Sequence, residues 1–365
     1  MKVPLLDLVS QYKEIKPEID AAIQRVLDSG YFILGPEVVA LEAEVADYLG
    51  VAHGIGVASG TDALILALRA LDIRAGDEVI LPAYSFFATV GAILHVGAIP
   101  VFVDVDEKTY CIDAEQVRAK ISEKTKAIIP VHLYGQSADM DVLVEIAAEH
   151  DLRIIEDNAQ AFGAEYKGRK TGGIGDIGCL SFFPSKNLGG YGDGGMVVTD
   201  NPKLAENLRM LRVHGWKKKY FPEVLGYNSR LDALQAAILR VKLPYLDGWN
   251  DGRRKVAHAY SSALAGIENL RTPYEAPDRK HVYHLYILQI PNRDELESHL
   301  KEAEIGTSVY YPQPLHLAEP CRALGYKEGD FPVAEKASAE TIAIPVYPEM
   351  SNEQIDYVVE VLKTQ

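Results

Sequence analysis

From about Val45 to Asp200, seven short apolar runs alternate with amphipathic stretches, and this alternation restricts the fold more than any other feature. The runs are AHGIGVAS, DEVILP, IPVFVDV, KAIIPVHLY, LRIIEDN, IGCLSFF and GGMVVTD. Several are rich in β-branched residues and are bounded by Gly, Pro or Asp, so they read as strands. TDALILALRAL, ATVGAILHVG and MDVLVEIAAEH lie between them with helical spacing. Such a pattern predicts an α/β domain with a mainly parallel seven-stranded sheet between helices. Ligands of such sheets gather beyond the carboxyl ends of the strands. Further on, SRLDALQAAILRVKLPYLDGWNDGRRKVAHAYSSAL reads as a long helix bent near Pro244. HLYILQI is extended, and RDELESHLKEAEI and SNEQIDYVVEVLKT are helical, so a smaller C-terminal α+β domain is expected. The predicted division is 1–245 and 246–365.

A chain of 365 residues accommodates one large domain and a smaller one. Its formal charge of −15 argues against non-specific nucleic-acid or membrane-surface binding. Any anionic ligand must then meet a local basic site. Cys111, Cys179 and Cys321 are scattered with no CxxC spacing, which suits a reducing compartment and offers neither a disulfide framework nor a zinc cluster. MKVPLLDLVSQYKEIKPEID lacks a basic region followed by an apolar one, so no signal peptide is expected. No apolar run approaches the roughly 20 residues needed to span a bilayer. The chain reads as soluble and cytoplasmic.

Four stretches fall at expected strand ends. In GVASGTDALILAL a helix starts near Thr61-Asp62, and a free helix N-terminus attracts anions. Thr61 or Asp62 serves equally well as a plain cap. In LRIIEDNAQAFGA the carboxylates Glu156 and Asp157 end a buried strand. They read either as a cap for NAQAFG or as a counter-ion to a ligand cation, with Gln160 one turn further on. In SFFPSKNLGGYGDGGMVV, Lys186 lies five residues after Ser181. It is a solvated loop lysine or, if desolvation lowers its pKa, an amine for Schiff-base chemistry. Gly189, Gly190, Gly192, Gly194 and Gly195 let the backbone approach something bulky. In VLGYNSRLDALQ, Asn228 and Arg230 either cap the long helix or project into a site, their own or a partner's.

Other patterns point elsewhere. Gly173, Gly175 and Gly178 match GxGxxG but lead into a strand rather than a helix, so they are no dinucleotide loop. His281 and His284 stand three apart in extended context, and no metal site is expected. Arg212, Lys217, Lys218 and Lys219 form a basic cluster that suits a phosphorylated substrate or is a solvated loop.

An anion cradle, a buried carboxylate, a hydroxyl and a lysine at one sheet edge match what pyridoxal phosphate requires. The chain resembles the DegT/StrS-type nucleotide-sugar aminotransferases through SGYFILGPEV, ASGTDAL, GDEVILPAYSFFAT, PVHLYGQ, IIEDNAQAFGA, SFFPSKNLGGYGDGGMV, YNSRLDALQAAIL and YYPQPLH. That resemblance implies the type I fold of pyridoxal-phosphate enzymes, with pyridoxal 5′-phosphate as cofactor and pyridoxamine phosphate as its half-reaction form. It implies that Lys186 is the Schiff-base lysine, Asp157 the partner of the pyridine nitrogen and Gln160 the partner of the ring hydroxyl. It further implies that Gly60, Thr61 and Ser181 contact the phosphate, and that Phe86 stacks on the ring. Asn228 aligns with a phosphate ligand from the second subunit of a homodimer. Arg230, Lys217, Lys219 and Tyr311 align with contacts to the sugar nucleotide. The implied reaction moves an amino group, usually from glutamate, to a keto group of a nucleotide-linked sugar. C3 of a dTDP- or UDP-linked 3-keto hexose is favoured and C4 is the alternative. Related sugar dehydratases carry histidine where this chain has Lys186, and a non-catalytic regulatory relative has no need of Lys186 or Asp157.

Overall fold

The structure, a computed structural model, describes residues 1–364. Its main sheet has seven strands: β1 His53–Val57, β2 Glu78–Pro82, β3 Ile99–Val103, β4 Thr125–Ile128, β5 Arg153–Asp157, β6 Ile177–Ser181 and β7 Gly195–Thr199. Their order is β1-β7-β6-β5-β4-β2-β3. β7 runs against both of its neighbours, and every other pairing is parallel. Helices cover both faces, which is why the strands are nearly continuous apolar runs. Ile55, Val57, Val79, Leu81 and Val197 have no exposed surface. The KAIIPVHLY run is shorter than expected. Its regular strand stops at Ile128, just before Pro130, and the chain then turns through the 3-10 segment Leu133–Gly135.

A second core surrounds an antiparallel pair, β8 Tyr286–Gln289 with β9 Thr341–Ile344. Tyr260, Leu296, Leu300 and Val358 pack there, and so does Val3 from the far end of the chain. Val3 reaches it through a bridge to Ile305. The expected long helix is interrupted rather than merely bent. It runs Ala233–Lys242, tightens to a 3-10 turn at Leu243–Tyr245, and resumes at Leu246–Ala263. Pro244 sits inside that turn, where its missing N–H rules out a continuous helix ladder.

Two helices, Leu8–Ser29 and Pro36–Leu49, precede the sheet and pack on Ala233–Lys242. Neither was anticipated from the sequence, although Ile15, Ile19, Ala22 and Val26 on the first and Val38, Leu41, Val45 and Leu49 on the second form buried apolar stripes. Among the described residues, no helix is long and apolar enough to cross a membrane. The register brings three strand ends together: Val57 and Ser181 both pair with Gly195, and Asp157 pairs with Cys179. Whatever follows β1, ends β5 or follows β6 therefore meets at one end of the sheet.

Candidate active site

The turn after β1 delivers Ser59, Gly60 and Thr61 to that end. Ser59 is extended, and its Oγ accepts a hydrogen bond from Asp62 N at 3.1 Å. Its carbonyl accepts from Ala63 N at 3.0 Å. Ser59 is thus the cap of helix Gly60–Ala70, in place of the expected Thr61 or Asp62. Asp62 turns instead to Ser229, whose Oγ donates to it at 2.7 Å. Among the described residues, the N–H groups of Gly60 and Thr61 have no acceptor, and they stand at the positive end of the helix dipole. A Cβ on Gly60 would lie 2.7 Å from Ser181 Cβ, so only glycine lets the helix start approach the end of β6.

On β5, successive side chains face opposite ways. Asp157 is buried; its Oδ2 accepts from Thr89 Oγ1 at 2.8 Å and its Oδ1 from Ala159 N at 3.3 Å. Burial pushes its carboxyl above the usual carboxylate range, and the Thr89 bond and the Lys186 charge only partly oppose that. Glu156 faces a different set of partners. Its carboxylate takes N–H bonds from Gly172, Ile174 and Gly175, each at 2.7 Å, and contacts His132 Nε2 at 2.9 Å. Burial pushes the Glu156 carboxyl up, but His132 and these backbone donors outweigh it and leave the pKa below its ordinary value. His132 Nδ1 accepts from Ala138 N at 3.1 Å, so Nε2 carries the proton and donates. The GxGxxG segment therefore does bind an anion, but the anion is this chain's own glutamate. NAQAFG forms turns rather than a helix, so neither carboxylate caps one.

Lys186 sits in the turn between β6 and β7, where its N–H donates to Phe183 O at 2.8 Å. Burial pushes its ammonium down to about 8, and the Asp157 charge opposes the shift. The glycines after it make close approaches within the chain. A Cβ at Gly189 would meet Pro184 O at 2.3 Å, and one at Gly190 would meet Gln235 Oε1 at 2.8 Å. At these two positions the room is taken by this chain's own backbone and by Gln235, whereas Gly194 lines the cavity described next.

Gly60, Thr61, Phe86, Asp157, Gln160, Ser181, Lys186 and Tyr311 all line one cavity of about 450 Å³. Gln160 Oε1 accepts from Tyr134 N at 2.8 Å, and its Nε2 donates to Tyr311 Oη at 2.7 Å. The Phe86 ring is 55 % exposed and lies 5.8 Å from the Tyr311 ring. Four other residues lie outside this cavity. Arg230, Lys217 and Lys219 line a separate hollow of about 740 Å³ beside Trp216. Asn228 is exposed, and Ser229 between Asn228 and Arg230 is the residue that bonds to the helix start. Arg212 leaves the expected basic cluster altogether: it is buried and pairs with Glu42 and Gly56 O. Lys217 pairs with Glu206 at 2.6 Å.

Sequence reasoning missed Thr89, His132 and Arg253, and weighed His284 only as a metal ligand. Thr89 lies in SFFATV, at the start of helix Ala88–His95, and His132 in PVHLY, just beyond β4; a lone polar side chain in an apolar stretch is a usable signal at both. His284 lines the cavity and its Nδ1 contacts Asn187 Oδ1 at 3.1 Å. Asn187 is fixed by Asn250 Oδ1 and Val282 O, so its Oδ1 accepts and Nδ1 of His284 donates. Burial and the Lys186 charge push His284 well below its ordinary pKa, so it adds no charge to the site. His281 instead stacks on Tyr283 with ring centroids 3.9 Å apart.

The profile of the DegT/DnrJ/EryC1/StrS aminotransferase family matches residues 13–363. The chain is 53% identical over 362 residues to a pleiotropic regulatory protein of Geobacillus stearothermophilus, covering 99% of this chain and 97% of that one. It is 46% identical over 362 residues to the dTDP-3-amino-3,4,6-trideoxy-alpha-D-glucose transaminase of Streptomyces venezuelae, covering 99% and 96%. It is 48% identical over 361 residues to a UDP-N-acetyl-3-dehydro-alpha-D-glucosamine 3-aminotransferase of Acidithiobacillus ferrooxidans, covering 99% and 97%. The crystal structure of S. venezuelae DesV in complex with a ketimine intermediate superposes with a TM-score of 0.98 at 46% identity, covering 100% of this chain and 98% of that one. With a sheet of this order, a lysine beside a buried aspartate and a family match across nearly its whole length, the chain belongs to the DegT/DnrJ/EryC1/StrS aminotransferase family.

Proposed function

We propose that this protein transfers an amino group from an amino acid, L-glutamate in the first instance, to the C3 keto group of a nucleotide-linked hexose, with pyridoxal 5′-phosphate as cofactor and pyridoxamine phosphate as its half-reaction form. The observation that carries the reading is the meeting of Lys186, Asp157 and the free N-terminus of helix Gly60–Ala70 in one cavity. The donor set fits the cofactor. Two unpaired N–H groups at Gly60 and Thr61 beside the Ser181 hydroxyl suit a phosphate. Among the described residues no cation makes a salt bridge with buried Asp157; burial disfavours its charged form, and a positive partner such as a protonated ring nitrogen would stabilise it. Gln160 offers an amide to a ring hydroxyl, and Phe86 offers an aromatic face.

When bound there, pyridoxal phosphate supplies an electron sink to the carbon that carries the transferred nitrogen. The chain's residues do the rest. Lys186 Nζ, with its proton affinity lowered by burial, takes the proton from the donor's α-carbon and returns a proton to the sugar carbon. Such positioned acid–base transfer contributes roughly 10²–10⁴-fold. His284, held neutral, adds no further charge beside the Lys186 amine. Phe86, Phe183, Leu5 and Leu6 give the cavity apolar walls that limit water.

The C3 position draws on relatives whose names specify 3-amino products from dTDP- and UDP-linked sugars; C4 is the competing position. A regulatory role draws on the relative named a pleiotropic regulatory protein. The joint presence of Lys186 and Asp157 favours catalysis over it. We also propose a homodimer with shared sites. Asn228 is exposed and outside its own cavity, which suits donation to a partner's phosphate site, and Arg230, Lys217 and Lys219 then face the sugar nucleotide. A cytoplasmic location is supported by three buried free cysteines.

Purified protein given pyridoxal phosphate should turn yellow, and borohydride should fix the cofactor to Lys186, read by peptide mass spectrometry. Incubation with glutamate and a panel of 3-keto and 4-keto sugar nucleotides should release 2-oxoglutarate with the 3-keto set. Activity confined to amino-acid keto acids would reject the sugar assignment.

A further inference from the structure

Arg253, on helix Leu246–Ala263, lines the same cavity, yet the chemistry above gives it no part. It is only 4 % exposed. Its Nη1 donates to Val346 O at 2.6 Å, which anchors the guanidinium to the chain just beyond β9. Among the described residues no carboxylate pairs with it. Among the described residues its Nε and Nη2 have no acceptor, yet neither is sealed off, so these donors open onto the cavity that Arg253 lines. Burial pushes the guanidinium down to about 10, with only the Glu349 charge opposing. The other charged groups of the cavity are Lys186, Asp157 and Asp193. A buried cation without a partner is costly unless an anion arrives to meet it.

Arg253 occupies a wall of its own. The phosphate cradle is built from Gly60, Thr61 and Ser181 at the end of the main sheet. Arg253 stands with Leu5, Leu6, Ile344 and Val346, which come from the N-terminal segment and from β9 with the chain beyond it. A planar fork of N–H donors between aliphatic side chains matches a carboxylate on a short carbon chain. Resting on the transaminase reading above, we propose that Arg253 binds the α-carboxylate of the amino donor. The arginine then fixes which end of the amino acid faces inward, and the α-carbon is presented to Lys186.

The test uses the holoenzyme and its Arg253→Gln and Arg253→Lys variants. The donor half-reaction is followed by loss of the cofactor's aldehyde-form absorbance with L-glutamate and, separately, with L-alanine, which has no side-chain carboxylate. Arg253→Gln should raise KM for both donors by about 10-fold or more, the loss expected for a charge-assisted hydrogen bond. Arg253→Lys should retain part of the affinity, and the keto-sugar half-reaction should suffer much less. An unchanged KM for both donors, a loss seen with glutamate alone, or equal damage to both half-reactions would each overturn the proposal. Crystals of wild-type holoenzyme grown with α-methyl-L-glutamate, which has no α-proton to lose, give a second reading independent of the variants. Its α-carboxylate should lie on Arg253, and a carboxylate bound elsewhere would also overturn it. If wild type reacts with no amino acid at all, the transaminase reading falls instead, and the ligand assigned to Arg253 falls with it.

Discussion

At the scale of single residues, two opposite charges in a dry pocket set each other's proton affinity. Lys186 is pushed down to about 8 by burial while Asp157 pulls it up. In cofactor-free protein, modification of Lys186 by an amine-reactive reagent, quantified by mass spectrometry, should rise with a midpoint near pH 8. Asp157→Asn removes the opposing charge and should move that midpoint lower; a midpoint that rises or stays put contradicts the pairing. The stability consequence has a definite sign. A lysine whose folded pKa lies below its unfolded one carries its burial cost in full at pH below about 8. The cost fades as pH rises from there toward 10.5. Lys242, buried and also pushed down to about 8, adds in the same direction. Cofactor-free protein should therefore gain stability over that window in urea titrations, and the gain should shrink in the Lys186→Met variant. With cofactor bound, Lys186→Ala should lower turnover by at least roughly 10²–10⁴-fold, measured as single-turnover loss of amino donor. Lys186, Asp157 and Gln160 were legible because each follows an apolar run at a strand end. Arg253 was not, because a mid-helix arginine looks like any other until the fold buries it.

Among the elements, helix Gly60–Ala70 depends on one hydroxyl and one missing side chain. Ser59→Ala removes its cap and should cost about 1 kcal/mol in denaturant unfolding. The same substitution should weaken pyridoxal phosphate binding, because the capped turn presents the N–H groups of Gly60 and Thr61. Gly60→Ala forces a Cβ within 2.7 Å of Ser181 Cβ, so the helix start and β6 must separate. Its effect on cofactor dissociation should exceed its effect on unfolding; the reverse order would assign Gly60 to stability alone. The seven strands were readable because burial on both faces leaves little but aliphatic residues in them. The interrupted helix at Pro244 was half readable: the proline marked the place, while the 3-10 turn that absorbs it depends on packing. Helices Leu8–Ser29 and Pro36–Leu49 escaped notice, although Asp7 and Pro36 mark their starts. The glycines at 172–175 were read only for what they were not. The N–H groups of Gly172, Ile174 and Gly175 serve Glu156, a partner that lies 16 or more residues upstream and is found only through the fold.

For the whole molecule, the shared site proposed above makes a prediction that no single chain can satisfy. Lys186→Ala and Asn228→Ala proteins should each be nearly inactive, and unfolding and refolding them as a mixture should restore roughly a quarter of wild-type activity, as random pairing into symmetric dimers requires. A mixture no better than its components would mean that Asn228 acts within its own chain or not at all. The order of the main sheet also governs when a working site first exists. Among the described residues β1 pairs only with β7, some 140 residues further along, and Gly60 approaches Ser181 across a gap of about 120. On the ribosome, the first strand of the sheet must wait for the last before it has any hydrogen-bonded neighbour. Pairings this distant in sequence close slowly. Chains released before residue 181 would hold half a cradle and no Lys186, and those released before Gly195 would lack the strand that β1 pairs with, so capture of the cofactor is a late step of assembly and cannot help to begin it.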